Sequence, residues 1–140
     1  MRRVTLAATG ALWASPNTFV GLLVGGVALC AGAHVRWSDA AVVFHRVPFG
    51  PGGALTLGNV ILNTGDSLDV HALTYYCAAY GGDQRVRLGD HERAHVYQYL
   101  ALGPLFLPLY FACGGIHVRN RFERAADRYA ATGKGWWPWA

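Results

Sequence analysis

The segment at residues 91–95 reads HERAH, which places two histidines four residues apart with a glutamate directly after the first. On a helix, His91 and His95 lie on one face, so both imidazoles can bind a single metal ion. Glu92 lies about 100° further round the helix, near enough to serve as a base toward a water activated by that metal. The segment therefore predicts a zinc site with hydrolytic chemistry.

A catalytic zinc site needs a third protein ligand, which this segment does not supply. The chain contains only two glutamates, Glu92 and Glu123, and the second opens the segment ERAAD at residues 123–127. Glu123 and Asp127 are an i, i+4 pair, so a helix places them on one face. The composition predicts about 0.004 chance matches to H-E-x-x-H in a chain of this length. The two motifs together therefore suggest a functional site.

H-E-x-x-H followed by E-x-x-A-D resembles the motifs of gluzincin metallopeptidases. The resemblance is to the membrane-embedded type that includes the CAAX-processing and heat-shock membrane proteases. It implies that His91, His95 and Glu123 bind zinc, that Glu92 is the general base, and that Asp127 orients a ligating histidine. It covers only two short motifs, in a chain much smaller than the usual members.

The resemblance does not mark the side chain that would stabilise the transition state. Three residues are candidates for that role: Tyr110, His117 and Tyr129. The metzincin variant of the zinc motif is excluded, because Gln98 stands where that motif requires glycine.

Charged residues make up 14% of the chain, against about 25% in a typical soluble domain, and none occurs in residues 4–35 or 96–118. Residues 18–35 are an apolar run near the lower limit for crossing a bilayer core of ~30 Å. A break at residues 15–17 precedes this run. We expect an N-terminal segment, residues 1–36, with one transmembrane helix, in a protein of the bacterial inner membrane. A buried core helix is the alternative.

The net charge of +4 is scattered rather than gathered into a basic stripe, which argues against nucleic-acid binding. The expected partners are membrane lipid and a peptide or membrane-protein substrate. The side of the membrane is not predicted, because two arginines flank each end of the helix: Arg2 and Arg3 before it, Arg36 and Arg46 after it.

Strand-like runs follow at residues 40–47 and 54–62, with Gly58 marking a bulge or a close backbone approach in the second. Residues 69–80 fit either a strand or a helix, and residues 84–88 fit a basic strand or loop. These runs predict a small antiparallel β region. The strand around residues 58–61 is a candidate for edge pairing with an extended peptide, although it also fits an ordinary sheet strand.

The positions of the two motifs conflict with a straight membrane span between them. A continuous helix would separate His95 from Glu123 by about 42 Å, too far for one metal. The intervening sequence is broken by Gly103-Pro104, by Pro108 and by Gly114-Gly115. We therefore predict a helix capped by Asp90 that runs from His91 to about Leu102, a short helix at residues 104–113, and a reversal at residues 114–115. Residues 99–118 would form a re-entrant or interfacial hairpin.

The sequence thus predicts an α+β membrane protein in which residues 37–140 form a small metallopeptidase-like domain. The expected function is hydrolysis of a membrane-proximal peptide bond by a zinc peptidase. One alternative is a non-enzymatic membrane protein in which the metal site or the fold is structural or serves assembly. Another is a membrane protein that binds no metal.

Overall fold

A computed structural model describes residues 2–38, 40–50 and 52–140, with side chains from residue 8 onward. The side chains of Arg2 and Arg3, which entered the count of basic residues, lie outside the described part. The elements, in chain order, are α1 (Arg2–Cys30), β1 (His34–Ser38), β2 (Ala41–His45), β3 (Ala54–Leu57), β4 (Val60–Asn63), β5 (His71–Leu73), α2 (Tyr75–Tyr80), β6 (Arg85–Arg87), α3 (Leu88–Leu102), a 3₁₀ turn (Gly103–Leu105), α4 (Phe106–Ala112) and α5 (Arg121–Thr132).

The N-terminal helix is longer at its start and shorter at its end than the sequence predicts. It passes through Pro16 without a break, so the expected interruption there is wrong. Proline removes one helix hydrogen bond. The side-chain amide of the next residue, Asn17, donates a hydrogen bond to the carbonyl oxygen of Gly103 at 3.3 Å. The helix ends at Cys30 rather than Val35, because Gly32 adopts a left-handed conformation that stops it.

Helix α1 contains a 23-residue segment, Ala8–Cys30, that is long and apolar enough to cross a membrane. A buried core helix or a signal sequence can meet the same criteria of length and composition. Only a narrow stripe of the segment is buried against the rest of the protein, and the stripe consists mainly of small residues: Gly10, Ala14, Gly21, Gly25 and Ala28. Gly21 lies against Val60 of the sheet, which leaves no space for a larger side chain.

The main sheet has the strand order β1-β2-β4-β3 and is mixed, so the prediction of a wholly antiparallel region is wrong. Residues 54–62 do not form one strand. They turn at Gly58, and β4 returns antiparallel to β3 and parallel to β2. The backbone at Gly58 is left-handed (φ 61°) and touches Thr18 of α1, which confirms the predicted close approach.

Residues 69–80, whose sequence fits either a strand or a helix, contain one of each. Strand β5 pairs antiparallel with β6 in a separate two-stranded sheet, and α2 lies between them in sequence. The side chain of Thr74 caps α2 by accepting a hydrogen bond from the backbone N–H of Cys77. This places Tyr75, the first residue of α2, beside His91 of α3.

The C-terminal helices double back as predicted. Helix α3 begins at Leu88 rather than His91, so Asp90 lies in its first turn and is not the N-cap. It ends at Leu102, as expected, and the 3₁₀ turn and α4 then carry the apolar segment. The chain reverses at Gly114 and Gly115, both with positive φ, and α5 returns to pack against α3. The two sequence motifs therefore lie on neighbouring helices.

Candidate metal centre

Two histidines and one glutamate converge between α3 and α5. The Nε2 atom of His91 lies 3.2 Å from Nε2 of His95 and 3.1 Å from Oε2 of Glu123. His95 Nε2 lies 3.4 Å from the same carboxylate oxygen. All three side chains are buried, with 6%, 7% and 3% of their surface exposed. The predicted convergence is confirmed, and this group is able to hold a metal ion.

The outer nitrogen of each imidazole is held by an oxygen acceptor. His91 Nδ1 lies 2.9 Å from Oδ1 of Asp127, and His95 Nδ1 lies 2.9 Å from Oε1 of Gln98. The Gln98 amide nitrogen donates to two backbone carbonyls, which fixes the amide orientation and leaves its oxygen facing His95. Both rings must then donate from Nδ1, so in the neutral imidazoles each Nε2 presents a lone pair to the centre of the group.

Three electron-rich atoms therefore meet in a buried site, and they require positive charge between them. Burial alone would lower the pKa of His91, but hydrogen bonds to Asp127 and Glu123 raise it to about 10. Burial likewise opposes ionisation of Glu123, yet His95 and His91 hold its pKa well below the usual range. The same electrostatic environment that attracts a proton attracts a metal cation, and the two compete for the same lone pairs.

The spacing of the three atoms fits a zinc ion. Tetrahedral coordination with bonds of about 2.0–2.1 Å places neighbouring ligand atoms about 3.3 Å apart. The three observed separations run from 3.1 to 3.4 Å. Two imidazoles and one carboxylate are also a donor set that zinc accepts, and three protein ligands leave one coordination position for a small molecule.

Glu92 lies in the same cavity as this group and is held by a side chain from the sheet. It is 4% exposed, and the Thr56 hydroxyl donates to its Oε2 at 2.7 Å. Thr56 belongs to β3, so the contact ties the edge of the sheet to the helix that carries both histidines. Glu92 thereby keeps a fixed orientation within the cavity.

Of the three candidate transition-state donors, the structure brings one to the site. Tyr110 of α4 donates its hydroxyl hydrogen to Oε1 of Glu123 and lines the cavity. His117 is exposed and accepts a hydrogen bond from the backbone of Arg119. Tyr129 packs its ring against Tyr97 and is not part of the cavity wall.

The cavity has a volume of about 530 Å³ and a mostly apolar wall. His91, Glu92, His95 and Glu123 lie on one side of it. Its other walls come from α1, the sheet and its loops, and residues 106–116, and include Val24, Val47, Leu62, Phe106, Phe111 and Ile116. The candidate metal group therefore opens into a space large enough for an extended ligand with apolar side chains.

The predicted peptide-pairing segment, residues 58–61, does not provide a free edge. Strand β4 lies inside the sheet between β2 and β3, so its backbone hydrogen bonds are already used. The edge strand is β3 instead, and Ala54, Leu55 and Thr56 of β3 line the cavity. The prediction was wrong because the chain turns back at Gly58. The second half of the predicted strand, β4, therefore lies inside the sheet, and the first half, β3, lies at its edge.

Four residues of the site were not assigned roles from the sequence. Gln98 and Tyr99 lie three and four residues after His95, and helical spacing is a signal that could have found them. Tyr99 is fully buried, lines the cavity and has a hydroxyl without a hydrogen-bond partner within the described residues. Thr56 and Tyr75 come from other elements, and no sequence pattern connects them to the histidines.

Comparisons of the chain with protein families, with curated proteins and with solved structures found no match. The likeness to gluzincin peptidases therefore still consists of the two motifs in the sequence. Family membership and the roles of individual residues remain predictions.

Proposed function

We propose that this protein is a membrane-attached zinc peptidase. The observation that carries the proposal is the meeting of three ligand atoms 3.1–3.4 Å apart, beside the buried Glu92, at the wall of a large cavity. A structural zinc site is usually closed by four protein ligands. Within the described residues the group has three, which favours a reactive site over a structural one.

The chain's own residues supply the other parts of a hydrolytic site. Zinc, when bound, acidifies water and polarises a carbonyl group. Glu92, held by Thr56, is positioned to accept a proton from the attacking water and to pass it to the leaving amine. The Tyr110 and Tyr75 rings lie on the cavity wall, where their hydroxyls are candidates for hydrogen bonds to the developing negative charge.

The edge of β3 is a suitable place for an extended peptide. Its outer side has no neighbouring strand in the described part of the chain, and the strand lies along the cavity. A peptide that adds to this edge gains backbone hydrogen bonds and directs alternate side chains into the apolar space. We therefore propose an extended segment with large apolar side chains as the substrate.

Membrane attachment is supported by the exposure of α1. Only 28% of its apolar segment is buried, whereas a core helix of a soluble protein is mostly buried. Large apolar side chains project on every side of the helix except the packed stripe: Leu12, Trp13, Phe19, Val20, Leu22, Leu23, Val27 and Leu29. Hydrocarbon around the helix removes this surface from water. Since α1 packs along the domain, the candidate site lies close to the membrane.

The test uses the full chain purified in mild detergent. Metal analysis should find one zinc per chain, and a peptide library rich in apolar residues should be cleaved. Glu92→Gln should retain zinc and lower the cleavage rate by about 10²–10⁴-fold. Asp90→Asn removes a carboxylate from the same helix outside the cavity, so it is the matched control and should cleave normally.

Four outcomes would contradict the proposal at different steps. Absence of bound metal from the wild-type protein would remove the zinc site altogether. Bound zinc without any cleavage would instead favour a structural metal site in a non-enzymatic membrane protein, and full cleavage by Glu92→Gln would show that Glu92 is not the base. Loss of the protein from carbonate-washed membranes would contradict the proposed attachment.

A further inference from the structure

A second cavity lies on the other side of α5 from the candidate metal centre. Its volume is about 320 Å³, and its wall consists of four arginines and the C-terminal tail: Arg119, Arg121, Arg124, Arg128, Pro138, Trp139 and Ala140. We refer to it as the arginine groove. Three of the arginines recur along α5 at spacings that place them on one helical face. The buried face of the helix faces α3 instead and carries Phe122, Glu123, Ala125 and Ala126.

The groove concentrates positive charge, and its wall contains four arginines but no Asp or Glu side chain. Its four guanidinium groups carry a formal charge equal to the net charge of the whole chain, +4. Within the described residues, no carboxylate lies in ion-pairing distance of Arg119, Arg121 or Arg124. Like charges held together in this way repel each other, so an anion is the ligand that stabilises the arrangement. Guanidinium groups are well suited to phosphate, because they donate two parallel hydrogen bonds.

The groove is held in shape by hydrogen bonds from Arg128 and by aromatic packing. Arg128 donates to the carbonyl oxygens of Gly135 and Trp137 at 3.0 and 3.1 Å, which fixes the tail against α5. The Trp139 ring packs on Phe122 and lies 5.7 Å from the guanidinium of Arg121. Arginine side by side with tryptophan is typical of the interface between lipid headgroups and hydrocarbon.

The position of the groove relative to α1 also fits the membrane surface. Phe122, which contacts Trp139, belongs to the same buried cluster as Ala14 of α1. Ala14 lies about 9 Å along the helix from the N-terminal end of the apolar segment, which begins at Ala8. The groove is therefore on the side of the protein nearer to the N-terminal end of this segment, where α1 would enter the headgroup region.

We propose that the arginine groove binds the phosphate of an anionic phospholipid headgroup. Arg119, Arg121 and Arg124 contact the phosphate oxygens, Arg128 holds the tail in place, and Trp139 lies at the boundary with the acyl chains. The inference rests on the membrane attachment proposed above, but it requires neither zinc nor peptidase activity.

The experiment uses delipidated full-length protein in neutral detergent, with lipid binding counted by native mass spectrometry. The probes are phosphatidylglycerol, phosphatidylcholine and inorganic phosphate. We expect phosphatidylglycerol to bind at least about tenfold more tightly than phosphatidylcholine. Replacing Arg121 and Arg124 together by glutamine should reduce this affinity by on the order of tenfold or more.

The matched control is the double variant Arg36→Gln with Arg85→Gln, which removes the same charge from two exposed arginines on strands β1 and β6. It should change the affinity less than about twofold. An equal loss in this control would show that only net charge matters, and equal binding of both lipids would also overturn the proposal. Competition by millimolar inorganic phosphate as strong as that by lipid would identify a site for soluble phosphate instead. Zinc content should be unchanged in the groove variant, which separates a failure here from a failure of the metal site.

Discussion

The Nδ1 atom of His91 lies 2.9 Å from Oδ1 of Asp127, and the two residues come from neighbouring helices, α3 and α5. The other carboxylate oxygen of Asp127 accepts the backbone N–H of Tyr75 at 3.1 Å, at the start of α2. Asp127 therefore connects three helices and fixes which nitrogen of His91 faces the candidate metal group. A ligand oriented in this way binds a metal more tightly than a freely rotating one, because the ordering is completed during folding.

Asp127→Asn tests the contribution of this contact. The amide is close in size but carries no charge, so it holds the His91 ring more weakly and favours the required tautomer less. We expect zinc affinity to fall about 10–100-fold, measured by competition with a chromogenic chelator. Asp90→Asn, in the first turn of α3, should leave the affinity unchanged. Wild-type affinity in Asp127→Asn would show that the contact does not tune the metal site.

Thr56→Val tests whether the sheet positions the proposed base. The substitution keeps the β-branched shape and removes the hydroxyl that donates to Glu92 at 2.7 Å. We expect kcat to fall about tenfold, since a hydrogen bond to a charged group contributes about 1.5–3 kcal/mol, while zinc content and KM stay near wild type. Thr132→Val, at the exposed end of α5, is the control. A rise in KM without a change in kcat would assign Thr56 to substrate binding instead.

The centre of the site was more predictable from the sequence than the frame around it. The sequence alone could connect His91, His95 and Glu123, because few residue types bind zinc. The return of the chain could be inferred from Gly114-Gly115, where a helix cannot easily continue. Thr56 could not be found in this way, because it lies 36 residues before Glu92 in the chain. No local sequence pattern connects residues of β3 and α3 that are so far apart.

Two of the fold predictions that were wrong share a physical cause. Each used a local signal that a tertiary contact overrides. Pro16 does not end α1, because the neighbouring side chains Asn17 and Thr18 are anchored to the 3₁₀ turn and to Asn59 in the turn between β3 and β4. Residues 54–62 do not form one long strand, because contact with α1 requires a tight turn at Gly58. The sequence alone did not reveal that α1 packs along the domain.

A pair of adjacent glycines tests the packing of α1. A methyl group at Gly25 would lie 2.3 Å from the Phe44 ring, whereas one at Gly26 would meet no atom within 4 Å. We expect Gly25→Ala to lower the free energy of unfolding by about 1–3 kcal/mol through overpacking. Gly26→Ala should raise it by up to about 1 kcal/mol, since alanine favours the helix. Thermal unfolding in detergent measures both, and equal effects would show that α1 does not pack on the sheet.

The pH dependence of stability should depend in part on His45, which is buried on β2. The amide nitrogen of Asn63 lies 3.0 Å from Nδ1 of His45, and the Asn63 oxygen already accepts the N–H of Gly65. The amide therefore donates to His45, which requires an unprotonated Nδ1. Burial and the neighbouring His34 and Arg36 lower the pKa of His45, with a smaller opposite effect from Asp66.

The sign of the effect follows from this lowered pKa. The unfolded chain takes up a proton near the ordinary histidine pKa of about 6.5, and the folded protein does so only at lower pH. The contribution of His45 is therefore fully present above pH 6.5 and is lost as the pH falls from that value through the folded pKa. His45→Gln keeps an oxygen acceptor for Asn63 and does not titrate, so its melting temperature should fall less between pH 7 and pH 5. The exposed His71→Gln is the control and should follow wild type. Identical acid sensitivity in all three proteins would show that His45 does not limit stability, because its protonation would then cost the fold nothing.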